Sequence, residues 1–488
     1  MSVGDHSDLV QDAGIDLQPD PLRTIMRFFV PGNEDVGGTE SRAGQVIDRI
    51  LALSEDEVDR ALQDVDARIA GRHPGARAVF EHHASIATRR IDEAHEVGAP
   101  RRRLLGAAFT HEFAIEGAAL CNPSIVRHPI QPEHGTAFAM SVRGIGEGHH
   151  SSIGFRTGLV AEDGTITIDP PGPNPHTGHI GSGIHRRAVM QRALAEAGDA
   201  LGDSDYVLDP LPARFDDRHL ATRIEALAED ADTRRHTPAT IARLEHLARS
   251  SYRVEFRHSG PLSERVLWPN SPAEHQGMED ARFVEITDGS APRYCATYTA
   301  FDGKHVAQHL ITTEDFVTFT VAPMAGIAAR GKGLALFPRQ IDGKFVALSR
   351  HDRETNTIAE SDDLHCWDHA ASLQEPRRPW EVLQLGNCGS PIETPAGWLV
   401  LTHGVGALRT YSIGAILLDL DEPHRMIAAC AEPILVPTDP AGYVPNVVYT
   451  CGALLVGDRL VLPYGRGDRT IGVATLDLDQ LVESMEPT

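Results

Sequence analysis

Two textures of apolar and polar residues divide the chain. Over the first 115 residues apolar positions recur at helical spacing. Val58, Ala61, Leu62, Val65 and Ile69 share one helical face, opened by the capping-box pair Ser54 and Glu57 and stopped by Gly71. A second helix is predicted from Ala76 to about Ile91. Nothing in 1–115 looks chemical, so the expectation is a helical N-terminal extension serving as a cap or an oligomerisation platform.

From about residue 119 the pattern shortens to β-rich runs separated by turn residues, and it repeats. Each of five units runs first strand, turn, second strand, polar loop, third strand. The first strands start near Asn122, Glu279, Leu336, Ser390 and Asn446. After the first interval these starts lie 50-odd residues apart, the period of a four-stranded propeller blade. The predicted fold is therefore mainly β, a five-bladed β-propeller over 116–488. The long first interval contains a Pro/Gly-rich stretch (169–183) and helical patterns near 185–197, 217–230 and 238–250, the last with Thr237 as N-cap and Pro238 at the first helical position. It reads as a helical insertion, 165–250, between blades one and two.

Composition narrows the function. A net charge of −24 on 488 residues offers no basic stripe for nucleic acid or an anionic membrane. Six scattered cysteines without a C-x-x-C pair read as reduced thiols. No run reaches membrane-spanning length, and the first ten residues lack a basic, apolar leader pattern. The expectation is a soluble cytoplasmic protein.

In a propeller the innermost strands line one central channel, so their first residues and the loops after the second strands converge. Those positions hold Asn122, Glu279 and Asp280, then Arg143, Arg350, His403, Tyr464, Arg466 and Asp468. Two other patterns carry less. Gly326–Gly333 nearly matches a phosphate loop, but Gly333 stands where the hydroxyl residue belongs and a strand follows, leaving Arg330 and Lys332 as candidates for a simple phosphate. His111–Glu112 starts an H-E-x-x-H pattern that Ile115 fails to complete, and His149–His150 is a bare pair, so no metal site is expected.

The chain resembles glycoside hydrolase family 130, the mannoside phosphorylases and related β-mannosidases, over about 111–488. The resemblance rests on Asn122-Pro123, Gly277–Arg282 (GMEDAR), Gly333–Pro338 (GLALFP), His403-Gly404-Val405, Ala415–Pro423, Glu432–Leu435 and Val444–Val447. It implies that Asp280 is the general acid, although Ala281 replaces the family's proline. It implies a mannosyl site of Asn122, Arg143 and Asp468, with Glu279 and Arg282 beside them. It implies a phosphate site of Lys332, Arg350, His403 and Tyr411. Arg466 and Arg469 depart from the family's loop at Pro463–Thr470.

Inverting hydrolysis needs two carboxylates, whereas phosphate is already a nucleophile and needs one acid and a cationic cradle. The residues favour inverting phosphorolysis of manno-oligosaccharides to α-mannose 1-phosphate, with inorganic phosphate as co-substrate and no other cofactor. On this reading Asp280 needs a raised pKa. The alternatives are an inverting β-mannosidase and a non-catalytic glycan-binding propeller.

Overall fold

The computed structural model describes residues 9–30, 41–88, 97–198, 202–229, 237–257, 260–439 and 441–488. By contact the chain separates into two units, one of Met1–Pro19, Ala118–Pro171 and Thr177–Thr488, the other of Asp20–Gly117 and Gly172–His176.

The smaller unit contains helices Arg42–Leu51, Glu55–Ile69, Ala76–Ala87 and Ala99–Ala108. The second begins with the Ser54–Glu57 capping box, Ser54 N–H donating to Glu57 Oε2 at 2.8 Å, and it buries Val58 and Leu62. The predicted end of the third helix at Ile91 lies outside the described residues. Thr24–Phe28 and Thr110–Ala114 pair as an antiparallel ribbon.

The larger unit is mainly β and contains five antiparallel meanders. Sheet one is Ala119–Arg127, Thr136–Ile145, Ser151–Val160 and Ile166–Ile168. Sheet two is Gly277–Glu285, Tyr294–Phe301, Val306–Thr313 and Thr318–Pro323. Sheet three is Ala335–Leu336, Phe345–Ser349, Asn356–Ser361 and Ala370–Gln374. In sheet four, Gln384–Asn387 and Ile392–Thr394 both pair with Gly397–Val405, followed by Tyr411–Leu418 and Met426–Ala429. In sheet five, Val448–Tyr449 and Leu454–Val456 pair with Arg459–Arg466, then comes Thr470–Asp477.

Each sheet buries both faces, which explains why its strands read as apolar runs rather than clean alternations. Gly397–Val405 is buried throughout. Its alternate side chains divide between two cores: Trp398 and Val400 meet Val346, Leu348 and Ile358 of sheet three, while Leu399 and Leu401 meet Leu460 and Leu462 of sheet five. Equivalent cores join sheets one and two through Phe155 and Phe283, and sheets two and three through Leu310 and Ala347. A fifth core joins sheet five back to sheet one through Val461, Val473, Met140 and Val142. Burying each large apolar side chain contributes about 1.5–3 kcal/mol, so the inter-sheet cores dominate the stability of this unit.

Three expectations need correction. The reading of 1–115 as helical fails at Gln11–Leu17, a strand that pairs antiparallel with Thr470–Asp477 as the fourth strand of sheet five. Its alternate residues Ile15 and Leu17 reach the core between sheets five and one, a burial too short to register as a sequence pattern. The same reading fails at the ribbon strands Thr24–Phe28 and Thr110–Ala114, where tertiary pairing overrides local propensity. The insertion is also not wholly helical from 165. Ile166–Ile168 completes sheet one, and His179–Ser182 pairs with Tyr252–Glu255, itself the next strand outward on sheet two. Between these lie helices Arg187–Glu196, Asp203–Leu208, Asp217–Glu229 and Thr237–Arg249 around a core containing Leu194, Leu208, Leu220 and Leu244. Residue 230 lies outside the described residues, as does the Thr237 side chain. Among the described residues no helix is long and apolar enough to cross a membrane.

Candidate active site

Two β-bulges build the centre of the site. Register shifts between Cys121 and Ser124 on the first strand of sheet one, and between Glu279 and Arg282 on that of sheet two. Asn122 and Asp280 occupy these bulges with φ of 48° and 57°. A bulge re-aims one side chain out of the strand's alternation, and Asn and Asp take the left-handed conformation at least cost among non-glycine residues. The two side chains meet: Asn122 Nδ2 donates to Asp280 Oδ1 at 2.6 Å. Asp468, in the turn between the last two strands of the repeat, is left-handed as well, with φ of 49°.

These three residues line a pocket of about 210 Å³ together with Arg143, Arg282, Lys332, Arg350, His403 and Tyr411. Glu279 stands behind, accepting from Arg143 Nη2 at 2.6 Å and from Lys332 Nζ at 2.6 Å. Arg143 also reaches Asp280 Oδ1 at 3.3 Å and Ser151 Oγ at 3.0 Å. The structure thus brings Asn122, Arg143, Glu279, Asp280, Arg282, Lys332, Arg350, His403, Tyr411 and Asp468 together.

The charges divide the pocket in two. On the Asp280 side, carboxylates and cations are paired. On the other side, Arg282 donates to the Tyr449 hydroxyl at 2.7 Å and to both oxygens of Asn387. Among the described residues Arg350 donates only to the carbonyls of Leu385 (3.2 Å) and Arg353 (3.1 Å). No carboxylate among the described residues pairs with Arg282 or Arg350. Burial lowers the Arg350 pKa, and neighbouring Arg282 lowers it further, against the pull of Tyr449. Burial, Arg350 and Arg282 push His403 well below the ordinary histidine range, so its ring is neutral at pH 7. His403 stacks on Tyr411 with centroids 6.0 Å apart. Arg350, with no carboxylate beside it, makes a seat for an anion, and Arg282, whose charge Asp280 offsets in part, stands next to it.

Asp280 lies in the pocket, but its charge state differs from the expected one. Burial raises the Asp280 pKa, yet Arg143, then Lys332 and the Asn122 hydrogen bond, outweigh it, and the net shift is downward. The expected raised pKa belongs instead to Asp468, which burial and then Asp280 push up to about 6.

Three of the other basic and aromatic positions turn elsewhere. Arg466 points at Asp16, 3.5 Å away, and at the Ile15 carbonyl at 3.1 Å, drawn off by the added strand of sheet five. Tyr464 lies under the Arg466 guanidinium and, with it, lines a separate cavity of about 740 Å³. Arg330 faces Glu196 at 3.6 Å instead of joining Lys332. Sequence reasoning missed Thr299, Tyr449 and Arg409 among the lining residues, and Asn387 beneath them. Arg409 had a signal. The loops Gly146–His150 and Gly406–Thr410 have the same conformation, each with consecutive left-handed residues (Gly148, His149; Leu408, Arg409). They follow Arg143 and His403 at the same spacing, so Arg143-Gly-Ile-Gly and His403-Gly-Val-Gly align.

The family model described as β-1,4-mannooligosaccharide phosphorylase matches residues 245–487. The chain is 35% identical over 227 residues to the 1,2-β-oligomannan phosphorylase of Thermoanaerobacter sp. (strain X514), covering 45% of this chain and 75% of that one. It is 35% identical over 253 residues to the β-1,4-mannooligosaccharide phosphorylase of Ruminococcus albus, covering 46% and 75%. A solved structure, the β-1,2-mannobiose phosphorylase from Listeria innocua with β-1,2-mannobiose, covers 76% of this chain at 19% identity and a TM-score of 0.46. The match to the family model takes in Asp280, Lys332, Arg350, His403 and Asp468 but stops short of Asn122 and Arg143, which the fold of sheet one supplies to the same pocket.

Proposed function

The chain belongs to glycoside hydrolase family 130, and from that premise we propose that it cleaves β-mannosides by phosphorolysis and forms them in reverse. Its five sheets are, in this reading, the blades of a five-bladed propeller. The five inter-sheet cores, the last returning from sheet five to sheet one, support that architecture.

One observation carries the phosphorylase reading. Arg350 lines the Asp280 pocket with no carboxylate to balance it among the described residues, beside Arg282, whose charge Asp280 offsets in part. Phosphate seated there, with Lys332 and His403, attacks C1 of the mannosyl unit on the face opposite the leaving oxygen. The C1–O bond breaks with inversion, and α-mannose 1-phosphate results. Asp280 supplies the proton to the leaving oxygen, relayed through the sugar 3-hydroxyl. Asn122, Arg143 and Asp468 hold the sugar. Arg143 and Lys332 favour the ionised form of Asp280, so it gains its proton only once the charge of bound phosphate offsets them. The acid therefore becomes competent in the ternary complex.

A second reading has its own support. Asp468 is a second carboxylate in the pocket, and an inverting hydrolase needs such a base to activate water. One assay separates the two: manno-oligosaccharides are incubated with the protein with and without phosphate. Mannose 1-phosphate formed only with phosphate supports phosphorolysis, whereas free mannose at the same rate in both overturns it. A cytoplasmic location accords with six free cysteines.

A further inference from the structure

A second cluster of basic groups lies outside the catalytic pocket. Within the insertion, the short strands His185–Arg186 and Arg214–Phe215 pair antiparallel, and Arg186 stands directly opposite Arg214. Like charges at directly opposed positions destabilise a strand pair. Neither guanidinium has an ion-pair partner among the described residues. Both line a cavity of about 610 Å³ whose far wall comes from sheets two and three, including Leu310, Ala322 and Phe345.

The same cavity holds His365, which is only 6% exposed. Its Nδ1 is buried without a hydrogen-bond partner. An orphaned buried polar atom is destabilising, and the arginine pair, which Asp363 offsets only in part, adds to that. Burial and then Arg186 lower the His365 pKa to about 4, so the ring is neutral and Nδ1 is free to bond a hydroxyl. Two acidic side chains also line the cavity, and both are engaged. Asp363 accepts from the backbone amides of His365 (3.0 Å) and Cys366 (2.9 Å), and Asp362 is held by Lys344. Arg186 is also the N-cap residue of helix Arg187–Glu196, whose first turn has no acidic residue and no side-chain cap. The helix therefore adds its positive end to the two guanidiniums.

We propose that this cavity is a second anion site, which binds a phosphate group between Arg186 and Arg214, with His365 taking a hydroxyl of the phosphate or of the molecule that carries it. The apolar wall and the volume suit a hexose phosphate as carrier, and inorganic phosphate is the other source.

The test uses the full chain carrying Arg350→Ala, which disables the catalytic anion seat but leaves this cavity intact. Inorganic phosphate and glucose 6-phosphate are titrated separately by calorimetry. The expected result is one saturable site per chain, weakened at least tenfold by adding Arg186→Gln with Arg214→Gln. Tighter binding of glucose 6-phosphate identifies a sugar phosphate as the ligand, and equal affinity identifies phosphate itself. Melting temperature gives an independent readout. Without ligand, Arg214→Gln leaves it unchanged or raises it, because a repulsion has been removed, and the rise induced by ligand disappears. Absence of saturable binding, or binding indifferent to both arginine substitutions, overturns the proposal.

Discussion

Asp280 and Asp468 share one pocket, and their surroundings drive their acidities apart. Arg143 and Lys332 hold Asp280 below the ordinary aspartate value, while burial and the charge of Asp280 lift Asp468 to about 6. A pair of carboxyls separated in this way divides roles by environment rather than by residue type.

The first prediction follows from Asp468. If its ionised form accepts sugar hydroxyls, kcat/KM falls as pH drops below about 6. Asp468→Asn removes that acid limb. Stability moves the opposite way. The folded pKa lies above the unfolded value near 3.8, so the favourable contribution exists below 3.8 and is lost as pH rises through about 6. Asp468→Asn should therefore raise the melting temperature at pH 7 to 8 and give no gain near pH 3.5. An acid limb that survives the substitution would remove Asp468 from sugar binding.

The second concerns Asp280, the proton donor of the proposed mechanism. Asp280→Asn keeps the shape and the contact with Asn122 but removes the acid, so turnover should drop roughly 10²–10⁴-fold with an unchanged circular dichroism spectrum. Retention of most activity would assign the acid to another group.

The third concerns the anion seat. Arg350→Ala should raise the KM for phosphate far more than that for the oligosaccharide, because the lost contacts are charge-assisted. An equal rise in both would place Arg350 in sugar binding instead.

The fourth reaches the same seat without changing any charge. A Cβ on Gly386 would lie 2.1 Å from Arg350 Cδ and 2.7 Å from His403 Cε1. Gly386→Ala must displace both side chains, so the KM for phosphate should rise while the oligosaccharide constant changes little. Crystals of the variant should show Arg350 moved.

Much of this was legible in the chain because a repeat exposes its own geometry. Once the starts at Asn122, Glu279, Leu336, Ser390 and Asn446 were aligned, convergence of Asp280, Arg350, His403 and Asp468 followed without any single strong motif. Charge state was not legible. Whether Asp280 or Asp468 holds its proton depends on distances to Arg143 and Lys332 that spacing along the chain does not encode. Arg466 was misplaced because its partner, Asp16, belongs to a strand whose seven residues carry almost no β signal. Arg409 was missed because its loop matches 146–150 in backbone conformation but not in side chains.

That same strand constrains how the protein is made. Gln11 pairs with Thr475 and Leu17 with Ile471, so residues synthesised early wait for partners that emerge hundreds of residues later. At roughly 5–20 residues per second, the delay on the ribosome is tens of seconds. Throughout it the four preceding meanders can form, but the last cannot be completed. Asp12 and Asp16 place negative charge along the waiting strand, which discourages pairing with a neighbouring nascent chain. Closure joins the most distant parts of the sequence and should be the slow, late event in folding.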